Sequence, residues 1–227
     1  MEFNTQGIIL KAQDTKEADR LYYIFSLEKG LVRAFAKSVK TPKSKLAGFL
    51  TVSNQVFLML AQNELSTKIA QVSVIKTYPK IINSYAEFFI FNQIAEILLN
   101  FLRENQVEEY LYNSTKLFLD DLNSDLDLDK KKNLQLAYLG HILNLSGFKP
   151  ADIKLNSVLV NFLNTILRND YLKNRDLMIK LRMSAEDFKK IINYLSNYFQ
   201  NILDKELSSF VRCQYTNVTN YTNKLCE

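Results

Sequence analysis

Three alternating residues, Arg33, Phe35 and Lys37, carry the clearest chemistry in this sequence. Alternate side chains of an extended strand point to the same side, so this spacing sets a cation, an aromatic ring and a second cation about 7 Å apart. Cations neutralise phosphates and aromatic rings stack on bases, a combination typical of surfaces that bind single-stranded nucleic acid. The intervening residues are small and apolar, which suits the interior of a barrel: Val32, Ala34 and Ala36.

The surrounding segment is strongly basic. Residues 29–45 contain six Lys or Arg side chains and no acidic residue. Its later part is a connection that includes Pro42, where long lysine side chains can follow a phosphate backbone whatever its base sequence. Binding should therefore be sensitive to salt and tolerant of sequence. The predicted nucleic-acid-binding surface consists of Arg33, Phe35, Lys37, Lys40, Lys43 and Lys45.

A purely structural interpretation of these residues is also open. Phe35 could pack under a loop or helix while the cations form an ordinary solvated face. Either Tyr22 or Tyr23 should lie beside Phe35, because neighbouring strand residues point to opposite faces, but the sequence does not choose between them.

The residue spacing excludes the common catalytic motifs that we tested. The five glycines stand at positions 7, 30, 48, 140 and 147, which fit neither a phosphate-binding P-loop nor a Gly-x-Gly-x-x-Gly turn. The only histidine, His141, shares a helical face with Leu134, Tyr138 and Leu145, as expected of a packed helix residue. We expect a protein that is not an enzyme and needs no cofactor.

Asp125, Asp127 and Asp129 have the spacing that begins a calcium-binding loop. Lys130 stands where that loop needs Gly, and Leu136 stands where it needs a bidentate carboxylate. We interpret the three acids as a solvated inter-helix loop that favours the start of the next helix, and predict no metal site.

Composition and charge narrow the class of protein further. The chain has 227 residues, 47% of them hydrophobic, and a net charge of +5. Residues 1–80 hold 12 basic and 6 acidic side chains, so the positive charge lies in the first third, where a polyanion is the natural partner. Two cysteines, Cys213 and Cys226, and the absence of a signal peptide or membrane span in the sequence predict a cytoplasmic protein.

Two different periodicities divide the chain. Up to position 80, short β-branched and aromatic stretches predict a five-stranded barrel of the oligonucleotide-binding (OB) type. The predicted strands are Thr5–Lys11, Ala18–Leu27, Gly30–Lys37, Asn54–Leu60 and Ser66–Tyr78. The fold class is therefore α+β and multi-domain, with an OB barrel at residues 1–80, a helical domain at 81–213 and a polar C-terminal tail at 214–227.

Helical spacing begins after Pro79. Ser84 with Glu87 and Ser184 with Asp187 have the form of helix-capping boxes. The first capping box starts a helix that runs through Leu102, and five more helical segments follow: Val107–Leu119, Lys130–Leu145, Val158–Leu167, Arg175–Leu181 and Ala185–Leu203.

Several segments resemble the RecO family of bacterial recombination mediators. They are Gly7-Ile8-Ile9-Leu10, Glu17 to Leu21, Gly30 to Lys37, Pro42 to Leu46 and, in the helical region, Leu139-Gly140 with Leu145 to Pro150. Members commonly have Gly after the Ala-Lys pair, where this chain has Ser38. Many members also carry a four-cysteine zinc insertion, and this chain resembles the members without it.

The resemblance implies a protein that binds single- and double-stranded DNA, anneals complementary strands and uses no ATP. It implies action with RecR to load RecA onto strands coated by single-stranded DNA-binding protein (SSB), whose C-terminal tail would bind the helical domain near Arg168, Lys173 or Arg175. It also implies a location in the bacterial cytoplasm, at the nucleoid during repair. The residues leave two alternatives open. One is an RNA-binding or RNA-annealing module on the same barrel, and the other is a non-enzymatic protein scaffold.

Overall fold

A computed structural model describes residues 1–15, 18–42, 44, 46–147 and 157–210. The first part forms five strands: β1 (Glu2–Asp14), β2 (Arg20–Ser26), β3 (Gly30–Ala36), β4 (Gln55–Gln62) and β5 (Thr67–Lys76). They close into a barrel in the order β1-β2-β3-β5-β4. β1 pairs with both β2 and β4, and a parallel contact between β3 and β5 completes the circle. The predicted fold class, an OB-type barrel followed by helices, is confirmed.

Alternation along β3 fills the barrel interior as predicted. Val32 is 8% exposed, and Ala34 and Ala36 are fully buried in one apolar cluster with residues of the other strands. Small side chains suit this place because facing strands of a narrow barrel leave little room inside it. The neighbouring positions, Arg33 and Lys37, are exposed.

The rest of the described chain is helical. The helices are α1 (Pro79–Asn83), α2 (Tyr85–Phe101), α3 (Glu109–Leu122), α4 (Leu128–Leu145), α5 (Ser157–Arg168), α6 (Tyr171–Lys180) and α7 (Ala185–Leu203). No helix in the described ranges is long and apolar enough to cross a membrane.

Helix starts follow the capping signals, with two differences. The Ser184 hydroxyl accepts a hydrogen bond from the Asp187 amide at 3.1 Å, as a capping residue does. Ser84 occupies the same position before α2, but its hydroxyl donates to the Glu87 carboxylate instead of accepting from the helix backbone. The predicted start of α6 at Arg175 is one turn late, because Asp170 caps the helix through the Lys173 amide.

Helix α4 is the centre of the helical part and is buried on most sides. Several of its polar side chains have partners: Lys131 bonds Glu87 at 2.7 Å, and His141 lies 3.0 Å from the Ser114 hydroxyl. Burial lowers the pKa of His141 to about 4, against an opposing effect of Asp170, so the ring is neutral at pH 7. The interpretation of His141 as a packed helix residue agrees with this placement.

Two of the contacts between the barrel and the helices involve β2 and the turn that follows it. On the outside of the barrel, the Phe25 ring meets the Tyr112 ring of α3 edge to face, with centroids 5.3 Å apart. The loop after α2 docks against the β2–β3 turn, where the Leu31 amide donates to the Arg103 carbonyl at 3.0 Å and the Asn105 amide donates to the Lys29 carbonyl at 2.9 Å. These hydrogen bonds hold the loop at residues 103–106 beside the start of β3.

Part of the predicted organisation lies outside the described residues. This holds for the polar tail at 214–227, for both cysteines, and for Phe148 to Pro150, which complete one of the segments that carry the resemblance.

Replacing Gly30 with Ala should destabilise the protein by about 3 kcal/mol, combining backbone strain with a steric clash. Gly30 has a φ of +65°, and an added Cβ would lie 2.1 Å from the Gln106 carbonyl oxygen. Urea unfolding measures the loss of stability.

Two other glycines separate the causes of that loss. Gly147 has a φ of +73°, but no atom of the described residues lies within 4 Å of an added Cβ, so Gly147→Ala should cost only about 1 kcal/mol. Gly48 has neither constraint, and Gly48→Ala should be nearly neutral. Equal losses for Gly30→Ala and Gly147→Ala would show that the loop contact contributes nothing.

Candidate nucleic-acid interface

The outer side of the barrel presents cations and aromatic rings on three neighbouring strands. Strand register places Lys11 of β1 opposite Tyr23 of β2, and Tyr23 opposite Arg33 of β3. Directly opposed residues share a face of the sheet, so these three side chains form one row across the barrel. The Lys11 ammonium lies 5.7 Å from the centre of the Tyr23 ring, which places a cation against the aromatic face.

The choice between the two tyrosines is settled by burial. Tyr22 is 1% exposed and belongs to the barrel interior, whereas Tyr23 is half-buried on the side of Arg33. The hydroxyl of Tyr23 donates to the Gln13 side-chain oxygen at 3.2 Å, which orients the ring on the surface.

A second row runs parallel to the first. Phe35 lies opposite Leu21 of β2 on one side and opposite Lys68 of β5 on the other. Phe35 is half-buried, and neither apolar cluster of the described residues includes it. We call the cations and aromatic rings of the two rows, together with the exposed Lys37 that follows Phe35, the basic face. Its members are Lys11, Tyr23, Arg33, Phe35, Lys37 and Lys68.

Two predicted cations are engaged by carboxylates. Arg33 bonds Glu104 of the docked loop, with 2.6 Å between Nε and Oε1. Lys40 bonds Asp14 at 2.9 Å, at the end of β1, where Asp14 also accepts from Arg20 at 2.6 Å. Lys40 and then Arg20 hold the pKa of Asp14 below its usual value. Arg33 is therefore neutralised within the protein in the absence of a ligand, whereas Lys40 shares one carboxylate with Arg20.

The connection after β3 begins with a left-handed residue. Ser38 has a φ of +52°, in the region that favours glycine. Its amide donates to the Asp19 carboxylate at 2.7 Å, and the Lys40 amide donates to the Ala18 carbonyl at 3.1 Å. The backbone conformation that glycine would give at this position is thus adopted by serine.

Of the six residues predicted for the surface, the structure brings Arg33, Phe35 and Lys37 together and places Lys40 beside the end of β1. Lys43 and Lys45 lie outside the described residues. Sequence reasoning missed Lys11 and Lys68. Each lies next to a buried strand residue, Leu10 and Ile69 respectively, but only strand register shows that they join the two rows.

The three aspartates with calcium-like spacing lie at or just before the start of helix α4. Asp127 caps it by accepting from the Lys130 amide at 2.9 Å, while Asp125 and Asp129 bond Lys80 and Lys132. In the ranges that the structure covers, no group of three His, Cys, Asp or Glu side chains could hold a metal ion.

The three cations considered for the helical part have different surroundings. Arg175 makes a two-pronged contact with the buried Asp121, whose carboxylate also accepts from Tyr171 at 2.8 Å. Lys173 is largely exposed and lies 3.8 Å from Asp170. Arg168 borders an open depression lined otherwise by uncharged polar side chains. Arg175 therefore holds α6 against α3, whereas Lys173 and Arg168 lie at the surface.

Comparison with known proteins gives consistent results. Residues 1–78 match the family model described as "Recombination protein O N terminal". The chain is 33% identical over 153 residues to a protein of Nostoc sp. named "DNA repair protein RecO", covering 65% of this chain and 51% of that one.

Two further relatives carry the same name. The protein of Acaryochloris marina is 38% identical over 97 residues, covering 43% of this chain and 33% of that protein. The protein of Dehalococcoides mccartyi is 28% identical over 150 residues, covering 66% of this chain and 58% of that protein. The chain thus spans from a third to somewhat over half of the length of these relatives.

Replacing Ser38 with Gly should raise the free energy of unfolding by up to about 1 kcal/mol, because glycine adopts a positive φ without strain. Ala47→Gly is the matched control, since Ala47 lies in the same connection and is not among the described non-glycine residues with positive φ. Urea unfolding should show the control slightly less stable than the parent. A Ser38→Gly variant that lost as much stability as the control would contradict the assignment of strain.

Proposed function

The chain belongs to the RecO family, and on that premise we propose that it acts in DNA repair by binding single-stranded DNA on the basic face of its barrel. The observation that carries the proposal is the row Lys11–Tyr23–Arg33, continued by Phe35 and Lys37. Cations and rings alternate there over three strands, so phosphates and bases of one strand could be engaged together.

The contacts on this face suit binding without regard to sequence. Lysine and arginine side chains contact phosphates, and Tyr23 and Phe35 would each stack on a base, worth about 1–3 kcal/mol per base. Neither kind of contact reads a base edge. Because the protein ignores base identity, a bound strand remains free to select its complement by base pairing.

Annealing of complementary strands follows from this mode of binding. We further propose, from the family resemblance, that the protein binds double-stranded DNA as well and works with RecR to load RecA onto SSB-coated strands. The helical part would then receive the SSB tail, with Lys173 and Arg168 at its surface as cations for acidic residues. The protein would act without catalysis, in the bacterial cytoplasm and at the nucleoid.

Reversing charge at two positions tests the face. The double variant Arg33→Glu/Lys37→Glu should weaken binding to a labelled single-stranded DNA oligomer, measured by fluorescence anisotropy at several salt concentrations. For four to six phosphate contacts, the slope of log affinity against log salt should be roughly −3 to −4, and the variant should flatten it.

The matched control for that variant is Lys189→Glu/Lys190→Glu, which makes the same charge change on exposed positions of α7. Equal losses in the two double variants would mean that only net charge matters, and the proposal would fail. Competition with RNA of the same sequence distinguishes DNA from RNA as the preferred ligand.

Shortening the aromatic side chains tests stacking separately from charge. Tyr23→Leu and Phe35→Leu should each weaken binding about tenfold without changing the salt slope, because leucine keeps apolar bulk but cannot stack. Phe57→Leu is the control, since Phe57 is 42% exposed on β4 and lies opposite Gln6 and Ser73, away from the basic face. A loss for Phe57→Leu as large as those of the other two variants would rule out stacking at the basic face.

A further inference from the structure

Glu104 lies against the cation at the centre of the basic face. Its carboxylate oxygen is 2.6 Å from Nε and 2.5 Å from a terminal nitrogen of Arg33. Both side chains are about half exposed, at 49% and 56%, so the pair sits at the surface where a ligand would bind. The two residues are 71 positions apart in the chain and belong to different parts of the fold.

The backbone fixes Glu104 in this place. Glu104 forms an antiparallel bridge with Gly30, and the hydrogen bonds of its neighbours Arg103 and Asn105 to Leu31 and Lys29 hold the loop on both sides. The backbone at Glu104 is thus held beside β3 by hydrogen bonds that do not involve the ion pair.

A second carboxylate makes the same kind of contact where β1 ends and β2 begins. Asp14 is the register partner of Arg20 at the end of β1 and bonds both Arg20 and Lys40. All of these side chains are partly exposed, with between a third and just over half of their surface accessible.

A carboxylate presents to arginine or lysine the same kind of charged oxygen as a phosphate. We propose that Glu104 competes internally with DNA phosphate for Arg33, and that Asp14 does the same for Lys40. The proposal rests on the proposed function. Each cation must exchange its carboxylate for a phosphate when DNA binds, and the displaced carboxylate stays close to the strand and repels it.

This competition lowers affinity and speeds release of the strand. Exposed ion pairs are weak, so they reduce DNA binding by a modest factor without blocking it. A protein that brings two strands together must let go of each once they have paired, and an internal competitor for phosphate aids that step.

The salt dependence offers a specific signature. DNA binding releases cations that are condensed on the phosphates, and a carboxylate displaced from its own cation takes one up from solution, so the net release of cations is smaller. Freeing a cation should therefore steepen the slope of log affinity against log salt by about 0.7 per phosphate contact on single strands.

The experiment compares Glu104→Gln and Asp14→Asn with the parent in the anisotropy titration. At low salt each should bind single-stranded DNA about threefold more tightly. The slope should steepen by about 0.7 for each variant, because each removes one carboxylate. Stopped-flow release of the strand should be correspondingly slower for both.

Two comparisons make the test specific. Glu64→Gln removes an exposed carboxylate from the turn between β4 and β5, and should leave affinity and slope nearly unchanged. In an Arg33→Gln background, Glu104→Gln should lose most of its effect, because the competing cation is gone. Glu104→Ala repeats the test with a side chain that cannot form hydrogen bonds. The loop should keep its place in this variant, because the hydrogen bonds that hold it to Lys29 and Leu31 use only backbone atoms.

The outcomes distinguish this inference from the proposed function. If Glu104→Gln tightens binding no more than Glu64→Gln while the Arg33→Glu/Lys37→Glu variant still weakens it, the competition is wrong and the binding face stands. If the charge-reversed variant binds as the parent does, the binding face itself is wrong.

Discussion

The close approach of two backbones at Gly30 determines how the barrel and the helices are joined at the basic face. A side chain at this position would overlap the carbonyl oxygens of Arg103 and Gln106, so only glycine allows the loop after α2 to lie against the β2–β3 turn. The same contact carries Glu104 to Arg33. Packing around Gly30, at one end of β3, therefore determines whether Arg33, three residues later, is paired with a carboxylate.

Helix α4 has the equivalent role in the helical part. It is surrounded by other helices, and several of its buried polar side chains meet a partner from another element: Lys131 meets Glu87 of α2, and His141 meets Ser114 of α3. Such pairs favour one arrangement of neighbouring helices, because sliding would leave a buried polar group without its partner. The helices are thus held in place by polar contacts as well as by apolar packing.

Local rules accounted for much of the fold and for part of the site. The alternation of β3 placed Ala34 inside and Arg33 outside, since a two-residue period needs no information beyond the strand itself. The pairing of Arg33 with Glu104 could not be predicted, because it depends on a loop that only the assembled fold brings close. Tyr23 and Lys68 lie on the basic face because of strand register. A bulge in β1 and the parallel contact between β3 and β5 set that register.

The barrel closes through a narrow seam. Among the described residues, β3 meets β5 at a single register pair, Phe35 with Lys68, whereas the other neighbouring strands share at least seven pairs. The basic face spans this seam, with Arg33 on one side and Lys68 on the other. A strand of DNA lying across the face would tie the two edges together, so that ligand binding and barrel closure become linked equilibria in which each stabilises the other.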